Sequence, residues 1–123
     1  MSKIVRFRAG LVGAGYICEY HVAAVWRLPG VQLVGLCDID AARAAATAEK
    51  FGTRAFGSLQ ELRAAGANVM HILTPPDSHA TLAGTALEAG CHVLVEKPLA
   101  TDLRDCWRQI GRASCRERVC QYV

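Results

Sequence analysis

Three short stretches carry residue types whose spacing could do chemistry. Gly13-Ala14-Gly15-Tyr16-Ile17-Cys18 follows the G-x-G-x-x-G pattern, with cysteine in the third glycine place. It comes after an apolar run and opens an amphipathic segment, the setting in which such a turn holds phosphates. Gly13 permits the tight turn, and Gly15 lets a pyrophosphate approach the backbone. The helix that begins after them, at Tyr16 and Ile17, offers N–H groups and the positive end of its dipole. Cys18 is small enough for close helix–strand packing, though bulkier than glycine or alanine. The second stretch is Asp38, which closes the next apolar run 20 residues beyond Cys18. A carboxylate there accepts bonds from both hydroxyls of an adenosine ribose and repels a 2′-phosphate, favouring NAD over NADP. Arg43, just downstream, reads as a helix-surface arginine. The third is a pair of strand ends, Thr74-Pro75-Pro76-Asp77-Ser78-His79 and Glu96-Lys97-Pro98. Lys97 alone is a loop lysine; beside a cofactor cation and partly desolvated, its charged form is disfavoured, which suits proton relay.

The elements that must position these residues repeat as strand, turn and helix. Phe7 to Val12 is a short strand ending in the glycine turn. From Ile17 the positions Ile17, Tyr20, His21, Ala24 and Leu28 have the spacing of an amphipathic helix, stopped by Pro29-Gly30. Val31 to Cys37 is apolar on both faces, as parallel strands covered by helices are. Asp40 caps an alanine-rich helix through Lys50. Thr53 to Phe56 is a third strand, and Ser58-Leu59-Gln60-Glu61 is a capping box for a helix that ends at Gly66. Val69 to Leu73 is a fourth strand. Asp77 or Ser78 then caps a helix with His79, Leu82, Ala83, Ala86 and Leu87 inward, and Gly90 ends it. His92 to Val95 is a fifth strand, and Thr101 to Gln109 begins another helix. Such alternation predicts an α/β fold: an open, doubly wound, mostly parallel sheet of order 3-2-1-4-5, with ligand at the carboxyl ends where the order reverses between strands one and four.

Residues 1–109 are therefore read as one dinucleotide-binding domain, incomplete at its C-terminus. From Ile110 the apolar periodicity vanishes, and Ile110-Gly111-Arg112-Ala113-Ser114-Cys115-Arg116-Glu117-Arg118-Val119 resembles one reading frame of a common short-read sequencing adapter. Residues 110–123 are read as a non-native tail that packs against nothing, leaving the fifth strand with an unpaired edge. Three arginines and one glutamate of that tail carry most of the formal charge of +3; the first 109 residues hold 11 basic and 10 acidic side chains, a net of +1. That is no footprint for nucleic acid. No apolar run reaches the ~18 residues of a membrane span, and the amino terminus is no secretory signal, so a cytoplasmic location is expected. The cysteines, Cys18, Cys37, Cys91, Cys106, Cys115 and Cys120, form no C-x-x-C pair and no zinc spacing, so no metal is assigned and they read as structural.

With Gly10-Leu11-Val12-Gly13-Ala14-Gly15-Tyr16-Ile17, His21, Thr74-Pro75-Pro76-Asp77-Ser78-His79 and above all Glu96-Lys97-Pro98, residues 4 to about 109 closely resemble the Gfo/Idh/MocA oxidoreductases. The resemblance implies a Rossmann domain that binds NAD, with contacts from Thr74, Pro75 and His79, and with Glu96 and Lys97 near the nicotinamide ribose. Lys97 would meet the reacting hydroxyl of a sugar or polyol as hydride leaves carbon. It also implies that a second α/β domain, absent from this chain, grips the substrate, supplies further catalytic groups and mediates homo-oligomer assembly. The fragment is then expected to bind nucleotide without turnover. Two other readings stand beside this one: a non-catalytic cofactor-binding or regulatory module, and a methyltransferase, in whose chemistry Glu96-Lys97-Pro98 has no duty. His79 lies on an apolar helix face, where a packed histidine competes with a cofactor contact. The packed reading weighs more heavily for His21, and His71 and His92 receive no role.

Overall fold

A computed structural model describes residues 4–96, 103–104, 107–108 and 119–121, the last three by their backbone alone. Strands β1 (Phe7–Val12), β2 (Val31–Cys37), β3 (Ala55–Phe56), β4 (Val69–Ile72) and β5 (His92–Val95) pair in parallel in the order β3-β2-β1-β4-β5. The expected order holds. One expectation is corrected: β6 (Val119–Gln121) lies parallel to β5, with Val93 opposite Val119 and Val95 opposite Gln121. The tail thus contributes three residues to the sheet, and β5 has a neighbour on its outer side.

Helices cover both faces. On one, α1 (Cys18–Arg27) and α2 (Ala41–Phe51) bring Cys18, Val22, Ala44 and Ala48 onto Leu11 and Leu36. On the other, α3 (Leu59–Ala64) and α4 (His79–Glu88) bring Leu62, Ala83 and Leu87 onto Met70, Ile72, Val93 and Val95. Neighbours in a strand point to opposite faces, so Leu11 and Val12 fall in different cores and both must be apolar.

The caps follow local chemistry. The Asp40 carboxylate accepts the Arg43 N–H at 3.1 Å and starts α2. Ser58 Oγ accepts the Glu61 N–H at 3.1 Å, while the Glu61 carboxylate reaches back to the Gly57 N–H. The expected side-chain cap on α4 is not made. A single 3₁₀ turn, Pro76–Ser78, leads into that helix, and Ser78 Oγ lies 2.6 Å from Thr74 Oγ1 and 2.8 Å from the Pro75 carbonyl oxygen. Its hydroxyl is spent bracing the loop after β4.

Strand β3 reaches β2 only because Gly35 has no side chain. A Cβ there would stand 2.5 Å from the Arg54 carbonyl oxygen and 2.5 Å from the Phe56 ring. Forcing a methyl into such a contact shifts backbone and costs about 1–3 kcal/mol. Gly35→Ala is expected to lose that much stability in urea melts; a change within about 0.5 kcal/mol, the size of an inert surface substitution, would show that β3 moves aside freely.

Candidate functional site

β1 lies between β2 and β4, and the site starts where it ends. The Gly13 N–H donates to the Cys37 carbonyl at 2.8 Å, and the Leu73 N–H donates to the Val12 carbonyl at 2.8 Å. Gly13 has φ +111°, and a Cβ there would stand 2.9 Å from the Leu73 carbonyl carbon. Only glycine takes this conformation cheaply. The next turn is tied to the end of β2: the Ala14 N–H donates to Asp38 Oδ2 at 2.8 Å, and Asp38 Oδ1 accepts the Asp40 N–H at 2.8 Å. Thr47 Oγ1 of α2 sits 3.3 Å from the Ala14 carbonyl oxygen. The Cys18 N–H closes onto the Gly15 carbonyl at 3.1 Å. The N–H groups of Gly15, Tyr16 and Ile17 donate to no acceptor among the described residues. They form the open N-terminus of α1, where an anion is favoured.

A cleft of about 750 Å³ opens between this turn and the loop after β4. Gly13, Gly15, Asp38 and Ile39 line one side; Leu73, Thr74, Pro75, Thr81 and Leu82 line the other, and Arg43 also borders it. Of the residues expected at a nucleotide site, Gly13, Gly15, Asp38, Thr74 and Pro75 are brought together here. Tyr16 is not: it is 78% exposed, its hydroxyl is 2.7 Å from that of Tyr20, and it borders a separate hollow of about 550 Å³ with Arg43 and Lys50. Ile17 packs its side chain into the core beneath α1 and leaves only backbone toward the site. His79 lies behind the cleft wall: its side chain is 1% exposed, with Nε2 2.6 Å from the Thr74 carbonyl oxygen, a contact that ties it to the cleft-lining loop. Lys97 lies outside the described residues.

Glu96 is held in a way the sequence reading missed. Its N–H donates to the Ile72 carbonyl at 3.2 Å, and its Oε1 is 2.9 Å from His21 Nε2. The other ring nitrogen of His21, Nδ1, is 2.8 Å from His71 Nδ1, with the two rings at 80°. Burial first, and the neighbouring His21 second, push the His71 imidazole down to about 4. The available signal was a histidine on the inward face of the first helix together with one inside an otherwise apolar strand. Two buried polar groups in one core need each other.

Cys18, Cys37 and Cys91 are buried as small apolar groups. Burial, then the Asp38 charge, pushes the thiols of Cys18 and Cys37 up to about 11. Cys91 is buried with Sγ 3.7 Å from the Ala67 carbonyl oxygen. Among the described residues, no three His, Cys, Asp or Glu side chains converge as a metal site, and no helix is long and apolar enough to cross a membrane.

Residues 7–122 match the family model for the Gfo/Idh/MocA oxidoreductases, described as an oxidoreductase family with an NAD-binding Rossmann fold. The chain belongs to this family. Among its Gfo/Idh/MocA relatives, UDP-N-acetylglucosamine 3-dehydrogenase of Acidithiobacillus ferrooxidans is 34% identical over 116 residues, 94% of this chain and 36% of that protein. Inositol 2-dehydrogenase of Leifsonia xyli is 38% identical over 110 residues, 88% of this chain and 32% of that protein. The WlbA dehydrogenase of Bordetella pertussis, solved with NADH and UDP-GlcNAcA, superposes with a TM-score of 0.82 at 32% identity, covering 93% of this chain and 35% of that one. The chain therefore spans about a third of the length of these relatives. NAD, the cofactor of the family, suits the cleft: a Cβ at Gly15 would meet no atom within 4 Å, so bare backbone faces open space.

His71 gives the fold a pH dependence of definite sign. It stays neutral when folded down to about 4, whereas an unfolded histidine protonates near 6.5. Between those values the unfolded chain binds the extra proton, so stability is full above about pH 6.5 and falls as pH drops toward 4, by about 3 kcal/mol in all. Urea melts from pH 7 to 4.5 are expected to show this loss, and His71→Leu should flatten it; an equal slope in both proteins would assign the loss to other groups.

Proposed function

We propose that this chain is the NAD-binding part of a dehydrogenase that oxidises a hydroxyl of a sugar or polyol. The observation that carries the proposal is the Asp38 carboxylate, fixed on the glycine turn and facing the cleft beside open N–H groups at Gly15, Tyr16 and Ile17. NAD supplies the two-electron acceptor when bound. Gly13, Gly15 and the backbone of Tyr16 and Ile17 receive the pyrophosphate, Asp38 receives the adenosine ribose, and Thr74 and Pro75 form the facing wall. Glu96 and Lys97 then stand at the reacting end, with Lys97 taking the hydroxyl proton. That role for Lys97 rests on the Glu96-Lys97-Pro98 motif and on the dehydrogenase relatives, which act on nucleotide sugars and inositol by name.

Residues 1–109 are the dinucleotide-binding unit in this proposal. The substrate-gripping groups and the contacts for homo-oligomer assembly belong to sequence equivalent to the other two-thirds of the relatives, and the enzyme works in the cytoplasm. The string from Ile110 to Val119 is foreign to the parent protein; resequencing the source DNA across codon 110 tests that directly.

Calorimetric titration of NAD and NADP into the chain tests the cofactor assignment. One or two bonds to a charged acceptor correspond to roughly tenfold to a hundredfold in affinity, and NAD is expected to bind tighter than NADP by that order. Asp38→Asn, which can still accept one backbone bond, should narrow the gap. Equal or better NADP binding to the unaltered chain would sink the assignment.

The chain alone is expected to turn over neither sugars nor polyols. Substrate-dependent reduction of NAD that disappears in Lys97→Ala would show that it already holds a complete site.

A further inference from the structure

We infer that His21 is a positioning residue for Glu96, holding its carboxylate through one ring nitrogen while His71 braces the other. The inference deepens the function proposed above and rests on it for the role of Glu96. Three elements meet at this imidazole. His21 belongs to α1, the helix that begins at the glycine turn; His71 belongs to β4; Glu96 follows β5. The His21 side chain is 4% exposed and shares its helix face with Cys18, Val22 and Val25. A residue placed there only to fill volume would be apolar. Both ring nitrogens instead meet ionisable groups, at 2.8 and 2.9 Å, and those groups come from different elements. The Glu96 backbone is already fixed by its bond to Ile72, so what His21 adds is the direction of the carboxylate. Lys97 is the next residue.

The nitrogens give the arrangement a further property. A carboxylate only accepts, so His21 Nε2 carries a hydrogen. Two Nδ1 atoms at bonding distance share one proton between them. With His21 neutral, its Nδ1 offers a lone pair and the His71 Nδ1–H donates to it. With His21 protonated, its Nδ1–H donates instead, and His71 carries its own hydrogen on Nε2. His71 stays neutral in both states, consistent with its low proton affinity. One proton can therefore enter the chain without breaking either bond. Among the described residues, the ionisable groups facing His21 are His71, Glu96 and, on its own helix, the thiol of Cys18; β1 and β2 bring Leu11 and Leu36 to that face.

Two substitutions and one spectrum test this on the 123-residue chain. His21→Gln keeps an N–H where Nε2 stood and should restore the hold on Glu96. His21→Asn places its amide where Nδ1 stood and loses Glu96. NAD and ADP are titrated into each, since ADP lacks the nicotinamide half. Asn is expected to weaken NAD by about threefold to tenfold, the effect of one hydrogen bond, with ADP unchanged and with Gln close to the parent. Equal weakening of NAD and ADP in Asn, or no weakening at all, overturns the positioning role. Long-range ¹H–¹⁵N spectra of the imidazoles, taken without nucleotide across pH 5 to 8, provide the second reading. His71 should carry its hydrogen on Nδ1 while His21 is neutral and on Nε2 when His21 is charged. A single His71 tautomer throughout, or a protonated His71, overturns the relay. If neither NAD nor ADP binds the unaltered chain, the proposed function fails, and the spectra still decide the hydrogen-bond chain.

Discussion

At Gly13 the backbone of Leu73 and Thr74 occupies the space a Cβ would need, with the carbonyl carbon of Leu73 2.9 Å from that position and φ at +111°. The chain can leave β1 here only as bare backbone. β1 is hemmed between β2 and β4 and bonded to both up to this residue, so it cannot turn earlier. The helix that follows must therefore start over the carboxyl ends of the strands, with its first N–H groups directed at whatever lies there. Placement of the cleft, of α1 and of His21 about one turn along α1 all follow from one residue without a side chain.

Asp38 turns that local necessity into a shaped site. Its two oxygens each accept one backbone N–H, from Ala14 and from Asp40, and so lock the turn to the end of β2. A carboxylate has roughly four lone-pair positions, so capacity remains for ribose hydroxyls without giving up the lock. The same two bonds stop the group from swinging aside. A 2′-phosphate would face a fixed negative charge rather than one that can retreat. Arg43 borders the cleft from an exposed position on α2, which leaves it free to meet phosphates but gives it no fixed geometry to oppose Asp38.

The sequence is legible wherever one residue type answers one local demand. The strand order, the glycine turn, the Asp40 and Ser58 caps, and the ends of β1, β2 and β5 all come from such demands. β3 is shorter than the Thr53–Phe56 run expected: only Ala55 and Phe56 pair as strand, although the Arg54 carbonyl still accepts the Leu36 N–H at 2.9 Å. Ser78 resembles a cap in sequence, yet the Pro75-Pro76 step bends the chain into a 3₁₀ turn and brings Thr74 within reach of its hydroxyl. His79 was ambiguous for a similar reason: helical periodicity places it inward but says nothing of the carbonyl it meets. The His21–His71–Glu96 chain was hidden because its members lie 50 and 75 residues from His21, a separation that no local pattern encodes. The β6 pairing was missed because residues 110–123 have no periodicity of their own, and a sheet edge accepts backbone from any sequence.

Why polar groups should hold this position at all follows from comparing the two cores. Beneath α3 and α4 the core cluster is apolar, and the one buried histidine of α4, His79, turns its ring to the Thr74 carbonyl at the helix start rather than to another side chain of the core. Beneath α1 the face carries two buried histidines beside Cys18 and Val22. Replacing matched polar partners by apolar groups of the same shape is close to neutral for stability, so the hydrogen bonds are not needed to keep α1 in place. Dispersion and burial, however, have no direction: they would fix the distance of α1 from β4 and leave the Glu96 carboxylate to find its own direction. A ring with two nitrogens at a fixed angle links three elements in one geometry. It couples the first turn of α1, which opens at the glycine turn, to the side chain of Glu96 at the end of β5.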